Sequence, residues 1–472
     1  MISKDPLKVS RISTLQSLVE LYEEGSLLEN FARLPRLLLP GDHTLYGESV
    51  YLEREILKQR IKILLNFDIA NTAEMELYEL REFLEDRLKG KQYPKEYRGI
   101  DKAIEVIREA CDQCPESKYY ATDLCRNCTA KSCYHACPKD AITFENNRAV
   151  IDKNKCINCG LCAKACRYSA IVKLQRPCET SCGVNAIKAD ERGRATIDRD
   201  RCVSCGSCHI ACPFGAIESP THLIDVISKI KTGEKVIALY APSIMTQFGT
   251  NVSIGQLHSL FKELGFADSI PVAEGADEVA TEEAKDMETR NKKMTTSCCP
   301  AFYEYIQKHQ KDAIEYLSHV PSPMMIMANR IKEEDPDCKL VFIGPCTAKK
   351  IEARKYKKVS NVLTFVDVVA WCDAKEINFS ELEEQEITGS FDGWNFARNG
   401  GVAQAVANKC SKDVQVIYMN GIKEARQAFA QFKVAGPDTL LEGMGCPGGC
   451  LAGPSIVQKP NVTRAMLGKI KK

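Results

Sequence analysis

Residues 147–171 read NRAVIDKNKCINCGLCAKACRYSAI, and residues 193–217 read GRATIDRDRCVSCGSCHIACPFGAI. The two stretches align without a gap. Cys156, Cys159, Cys162 and Cys166 fall on Cys202, Cys205, Cys208 and Cys212. Upstream, CYHACPKDAI (133–142) aligns with CETSCGVNAI (178–187), placing Cys133 and Cys137 on Cys178 and Cys182. The sequence thus predicts two tandem copies of one unit. Of the 24 cysteines, none lies in residues 1–110, sixteen lie from Cys111 to Cys212, and eight from Cys298 to Cys450.

The rest of the chain sets the context. At roughly 150 residues per domain, 472 residues suggest about three domains. A chain this long buries a core without disulfides. Net charge is +1, with 44% hydrophobic and 27% charged residues, which favours neither a nucleic-acid surface nor an acidic tail. No run reaches the roughly 18 apolar residues of a membrane helix, and MISKDPLKVSRIS carries no signal-peptide pattern. The expectation is a cytoplasmic protein whose thiols are reduced and used as metal ligands. In residues 1–110, Ile12, Leu15, Val19 and Tyr22 share a helical face, as do Leu57, Ile61, Leu64 and Leu65, which predicts a helical region packing on its neighbours.

The run C-x2-C-x2-C-x3-C resembles that of bacterial two-cluster ferredoxins, in which three cysteines hold one 4Fe–4S cube and the fourth reaches the neighbouring cube. That resemblance implies Cys137, Cys156, Cys159 and Cys162 for one cluster, and Cys125, Cys128, Cys133 and Cys166 for a second. In the second unit, Cys182, Cys202, Cys205 and Cys208 form a third. The fourth retains Cys178 and Cys212, but Ala170 and Lys173 stand where Cys125 and Cys128 would be matched. The pair in CDQCP, Cys111 and Cys114, has the spacing to complete it; the alternative is a spare thiol pair and a lost cluster. Zinc rarely uses three cysteines at this pitch with a crossed fourth. His135 and His209 occupy variable positions within the motifs.

Residues 221–472 read as α/β, with strand-like VIALYAPS (236–243), KLVFIGPC (339–346) and VQVIYMNG (414–421), and cysteines where such strands end. No GxGxxG follows a strand and no P-loop occurs. TSCCP (296–300), GPCTAKKIE (344–352) and MGCPGGC (444–450) resemble, in order, the three signature loops of the FeFe hydrogenases; APS (241–243) and FARNGGV (396–402) are weaker echoes. The resemblance implies an H-cluster, in which a 4Fe–4S cube is bridged to a di-iron centre carrying CO, cyanide and an azadithiolate. It implies Cys299, Cys346, Cys446 and Cys450 as cube ligands, with Cys450 bridging. Lys349 would face one cyanide, Pro242 and Ser243 the other, and Met444 and Phe396 would form apolar walls. Cys298 would pass protons, with Glu283 and Ser322, then Asp286 and Arg290, leading outward.

Three features depart from the family pattern. Gly344 stands where methionine is usual, the third loop continues as CLAGP, and the interval from Cys346 to Cys446 is short. Cys338, Cys372 and Cys410 belong to no motif. The expected organisation is a helical region (1–110), an α+β ferredoxin-like tandem (111–220) and an α/β catalytic domain (221–472). The implied activity is reversible hydrogen formation, with H2 and protons as substrates, a ferredoxin-like electron carrier, maturation proteins, and no nucleic-acid or membrane partner. A hydrogen sensor and a non-catalytic electron-transfer or iron–sulfur assembly relative are the alternatives.

Overall fold

The computed structural model describes residues 5–470 except 43, 45–48, 92–93, 100–101 and 291. Helix α1, Pro6–Glu23, begins where Asp5 accepts the Leu7 N–H at 3.0 Å and Pro6 occupies the first turn. Helix α2, Val50–Leu64, buries Leu57, Ile61 and Leu64. No helix among the described residues is long and apolar enough to cross a membrane.

The two ferredoxin-like units, successive as repeats in the sequence, are nested in the fold. Each has a hairpin, Ile142–Glu145 with Arg148–Ile151 and Ile187–Ala189 with Ala195–Ile197. Each is closed by an antiparallel strand pair. In the first unit Tyr119–Ala121 pairs with Ile171–Lys173. In the second, Glu105–Val106 pairs with Ile217–Glu218. The second unit therefore starts before Cys111, and the whole first unit is inserted into it. Repeat matching alone does not reveal this, because the amino-terminal piece of the second unit lies before the first unit in the chain; the CDQCP pair is its trace in the sequence.

The carboxy-terminal region holds two parallel sheets. The first contains β1 (Val236–Tyr240) and β2 (Asp268–Pro271); the second contains β3 (Met294–Thr295); the first also contains β4 (Lys339–Ile343) and β5 (Asn361–Leu363), and the second β6 (Gln415–Asn420) and β7 (Thr439–Met444). Their orders are β2-β1-β4-β5 and β3-β7-β6. All five residues of β1 and all six of β7 are buried, as strands covered on both faces require. Helices α3 (Ala273–Thr289), α4 (Pro300–His309), α5 (Pro323–Glu334), α6 (Ala348–Tyr356) and α7 (Phe365–Ala374) flank them.

Helix α1 does not form a core of its own. Leu15, Leu18 and Val19 belong to one apolar cluster with Leu239, Val368 and Trp371, and α1 lies along α7. Under it, the Arg11 guanidinium contacts Glu218 and reaches Asp367 at 3.2 Å, while Arg60 reaches Glu218 at 3.3 Å. One buried ionic cluster thus joins residues from all three segments of the chain.

Candidate metal centre

The cysteines gather at five places. In the first ferredoxin-like unit, Cys133 is electrostatically coupled to Cys125 and Cys166, and Cys162 to Cys137, Cys156 and Cys159. Cys128 lies beside them in the chain, its carbonyl accepting the Lys131 N–H at 3.1 Å. In the second unit, Cys208 is coupled to Cys182, Cys202 and Cys205. Cys111, Cys114, Cys178 and Cys212 surround one small cavity, together with Arg176. Burial first, then mutual repulsion from Cys212, Cys111 and Cys114, pushes the Cys178 thiol up to about 12. A cluster that binds thiolates must overcome such a cost with its own positive charge.

The backbone repeats the same bonds in both units. The Ala141 and Ala186 N–H groups donate to Cys137 and Cys182 at 3.3 and 3.2 Å. Ala170 and Ala216 donate to Cys166 and Cys212, both at 3.4 Å. Ala149 donates to Cys125 at 3.4 Å; its repeat partner Ala195 donates to Cys111 at 3.2 Å. Cys111 therefore occupies the spatial place of Cys125, although it and Cys114 precede the other cysteines of their unit by more than sixty residues. Amide bonds to sulfur of this kind tune iron–sulfur clusters. Among the described residues, no three His, Cys, Asp or Glu side chains converge on a point suited to one metal ion. A mononuclear zinc site would need sulfurs about 2.3 Å from one centre.

The fifth group lies at the carboxyl ends of the parallel strands, where loops of such sheets converge. Cys298 and Cys299 follow β3, Cys346 follows β4, and Cys446 and Cys450 follow β7. Cys450 is coupled to Cys346 and Cys299, and burial pushes it up to about 12; Cys446 is coupled to the same two and to Cys205. The Gly445 N–H donates to Cys299 at 3.4 Å. Gly449 has φ 79°, and a Cβ there would lie 2.6 Å from the Ala397 carbonyl oxygen, so the CPGGC turn requires glycine.

Beside Cys450 is a cavity of about 70 Å³ lined by Pro242, Cys298, Cys299, Met324, Phe342, Lys349, Phe396 and Met444. Of the expected wall residues, only Ser243 is outside this lining. It is fully buried, and its hydroxyl lacks a hydrogen-bond partner. Four converging thiols, an ammonium, an apolar wall and an orphaned hydroxyl make a donor set that fits a thiolate-bound cube with an anionic partner.

Lys349 is buried, and its ammonium donates to Glu352 at 2.6 Å and Ser322 at 2.9 Å. Burial alone would lower its pKa, but Glu352 raises it, so the lysine stays charged. Glu352 closes the GPCTAKKIE stretch, three residues after Lys349 in the same helix, but the sequence assigned it no role.

The proton-relay residues divide differently from expectation. Glu283, in α3, is fully buried, and burial pushes its carboxyl up to about 7, opposed by Ser318 and the Ser297 N–H. Those two groups lie near enough to favour its charged form, yet neither carboxyl oxygen has a hydrogen bond of normal geometry. The Cys298 thiol is pushed well up by burial and by Glu283. Ser318, not Ser322, is therefore the serine at Glu283; Ser322 caps α5 and serves Lys349. Farther out, Asp286 pairs with Arg290 at 2.9 Å. Ser318 was legible only through the fold, because its loop is brought to α3 by the packing of β3 against Leu317.

Glu442, at buried β7, was also missed. Its carboxylate accepts from Gly400 and Ala403 N–H groups at 2.6 and 2.8 Å, pinning the FARNGGV loop that carries Phe396. Cys338 and Cys372 are buried and Cys410 is half-buried, all outside these groups.

Residues 234–454 match the family described as iron only hydrogenase large subunit, C-terminal domain. The chain is FeFe-hydrogenase-like. Residues 149–172 and 195–218 of this hydrogenase-like chain each match a 4Fe-4S binding domain. It is 29% identical over 408 residues to iron hydrogenase 1 of Clostridium pasteurianum, covering 71% of this chain and 69% of that protein. It is 27% identical over 383 residues to the periplasmic [Fe] hydrogenase large subunit of Nitratidesulfovibrio vulgaris, covering 67% and 88%. A shorter match, 29% over 157 residues, is to the cytosolic Fe-S cluster assembly factor NAR1 of Kluyveromyces lactis, covering 32% of this chain and 29% of that one. A solved FeFe-hydrogenase structure, HydA(deltaEFG), overlaps at 18% identity and TM-score 0.43 over 53% of this chain and 89% of that chain; the assignment rests on the sequence matches instead.

Proposed function

We propose that this protein is a hydrogenase that interconverts two protons and two electrons with H2. The observation that carries the reading is the mutual approach of Cys299, Cys346, Cys446 and Cys450 beside a cavity that Cys299 and Cys450 line together with Cys298 and Lys349. These four thiols would hold the cube, with Cys450 turned to the di-iron side. When bound, the di-iron centre supplies the redox site at which protons and electrons combine.

The chain's own groups do the rest. Lys349 presents a fixed positive charge to an anionic ligand, held by Glu352 and Ser322. Phe396, Met444 and Phe342 exclude water. The Cys298 sulfur gives and accepts protons, recharged by the Glu283 carboxyl, with Ser318 and then Asp286 and Arg290 outward. The raised Glu283 pKa keeps proton exchange possible near neutral pH.

Electrons would travel through four 4Fe–4S clusters. The one that Cys182, Cys202, Cys205 and Cys208 would hold would be next to the cube, since Cys205 adjoins Cys446. A ferredoxin-like carrier, dedicated maturation proteins and a cytoplasmic site complete the proposal.

A second reading is a non-catalytic iron–sulfur protein, favoured by the partial likeness to NAR1. An infrared spectrum of the fully matured protein, paired with hydrogen uptake and evolution assays, separates the two. CO and cyanide bands with turnover support the hydrogenase. Bands without turnover point to a sensor. Absence of bands after complete maturation overturns the reading.

A further inference from the structure

Lys350, in the first turn of α6, is 1% exposed. A lysine buried to that degree is ordinarily paired with a carboxylate. Both groups to which its ammonium donates are neutral: the Ser219 hydroxyl at 2.8 Å and the Pro220 carbonyl. The carboxylate that acts on it most strongly is Asp367, and Asp367 is itself held by Arg11 at 3.2 Å.

Lys350 belongs to the buried ionic cluster under α1. Ser219 joins them, since its carbonyl accepts from the Arg11 guanidinium at 3.2 Å. Arg11, Arg60 and Lys350 are three buried cations, and Glu218 and Asp367 are two buried carboxylates. The linked set therefore carries one positive charge in excess. Half-buried Arg354 adds repulsion at Lys350. Burial draws the lysine down to about 7 in the protein alone, against the pull of Asp367. A buried charge in excess is costly unless an opposite charge stands nearby.

Two groups of thiols are placed to supply it. Cys346 lies four residues before Lys350 and is among the groups that favour the charged lysine. On the other side, Lys350 acts on the His209 ring, where only Arg11 is a stronger charge, and His209 follows Cys208 directly. The loops of these two groups adjoin where Cys446 meets Cys205. A cube held by four thiolates is anionic, and each electron it takes up makes it more so, so a nearby buried cation favours its reduced form.

We propose that the Lys350 ammonium is the buried counter-charge of the two innermost redox centres, raising the reduction potential of the cluster of Cys182, Cys202, Cys205 and Cys208 and of the cube beside it. The effect on the cube rests on the hydrogenase reading. The effect on the neighbouring cluster does not, and the test is read there.

The full iron-loaded chain is titrated through its reduction waves, followed by electron paramagnetic resonance of the reduced clusters. The wave that disappears in Cys205→Ala marks the cluster in question. Lys350→Met, close in size and uncharged, should move that wave to lower potential, a change of about tenfold in the reduction equilibrium or about 59 mV for one electron. The waves of the inserted first unit serve as the internal standard and should stay in place. Asp367→Asn removes a buried negative charge and should move the same wave upward. A loosened fold does not give shifts of opposite sign, so the pair separates tuning from structural damage. If Lys350→Met loses iron, the upward shift in Asp367→Asn decides the matter alone. An unmoved wave in iron-replete Lys350→Met, or two shifts of one sign, overturns the proposal. Shifts as expected in a chain that shows no CO or cyanide bands after complete maturation overturn the hydrogenase reading and leave the tuning of the neighbouring cluster standing.

Discussion

The Cys446 sulfur lies 4.0 Å from the carbonyl oxygen of Cys205, a residue 241 positions earlier in the chain. That contact joins the second ferredoxin-like unit to the carboxy-terminal region. It is held by the Thr347 hydroxyl, which donates to the Ser204 carbonyl at 2.7 Å, and by Gly206, where a Cβ would come 2.6 Å from Pro454. A cube at Cys446 and a cluster at Cys205 would thereby be neighbours through protein.

Replacing Cys111 and Cys114 by Ala should remove one cluster and about four iron atoms. The Ala195 N–H would lose its sulfur partner at Cys111. Iron analysis and reduced-cluster spectra check this; unchanged values would mean that the pair is not a ligand pair.

Cys298 and Cys299 are adjacent but should respond differently. Cys299→Ala should abolish the active-site cube. Cys298→Ala should keep the infrared bands and lose most turnover, because a methyl group carries no proton. Cys298→Asp should recover part of it. The comparison is made at matched di-iron occupancy.

Glu283 links proton transfer to stability. Its carboxyl is pushed up to about 7, chiefly by burial, with Asp286 and Glu442 adding in the same direction. Below its ordinary pKa near ~4.3 the group is protonated both folded and unfolded, and costs nothing. Between there and about 7 the unfolded chain ionises first, so stability falls as pH rises, by about 1.4 kcal/mol for each unit of difference. Glu283→Gln should therefore unfold at a higher temperature than the parent at pH 8, and nearly with it at pH 4.5. Ser318→Ala should cut turnover more than a Ser322 variant cuts proton transfer, since Ser322 serves Lys349.

Gly344 is not free space. A Cβ there would lie 2.7 and 2.9 Å from two atoms of the Phe342 ring, which itself lines the cavity. Gly344→Met should cost about 1–3 kcal/mol through overpacking. Adding Phe342→Ala should recover part of that loss, a non-additive pair readable in thermal unfolding of the protein.

Arg11→Ala should destabilise by roughly 3–5 kcal/mol, since it leaves Glu218 and Asp367 buried with fewer counter-charges. Thermal unfolding checks this. A change below about 0.5 kcal/mol would show that α1 is held by its apolar face alone.

Much of the site was readable in the residue string because its chemistry is tied to local spacing. The C-x2-C-x2-C-x3-C runs, TSCCP and CPGGC each bring sulfurs together within one loop, so position along the chain nearly stands for position in space. The strands predicted at 236–243, 339–346 and 414–421 appear as Val236–Tyr240, Lys339–Ile343 and Gln415–Asn420; the first two are almost wholly buried and so need continuous apolar runs, while the third is an edge strand that alternates buried Ile417 and Met419 with exposed Gln415 and Tyr418. Ser318 and Glu442 bear no such mark: each is an ordinary residue until a neighbour from elsewhere arrives.

By itself the sequence determined which thiols come as sets, which loops carry the catalytic signature and where the strands run, since these depend on spacing and hydrophobic continuity within short segments. Only the tertiary structure decided that the ferredoxin-like units are nested, that Cys111 stands in for Cys125, that Ser318 rather than Ser322 meets Glu283, and that α1 shares the catalytic core. Each of those depends on a contact between residues far apart in the chain, where packing and burial choose the partner and no local pattern records the choice.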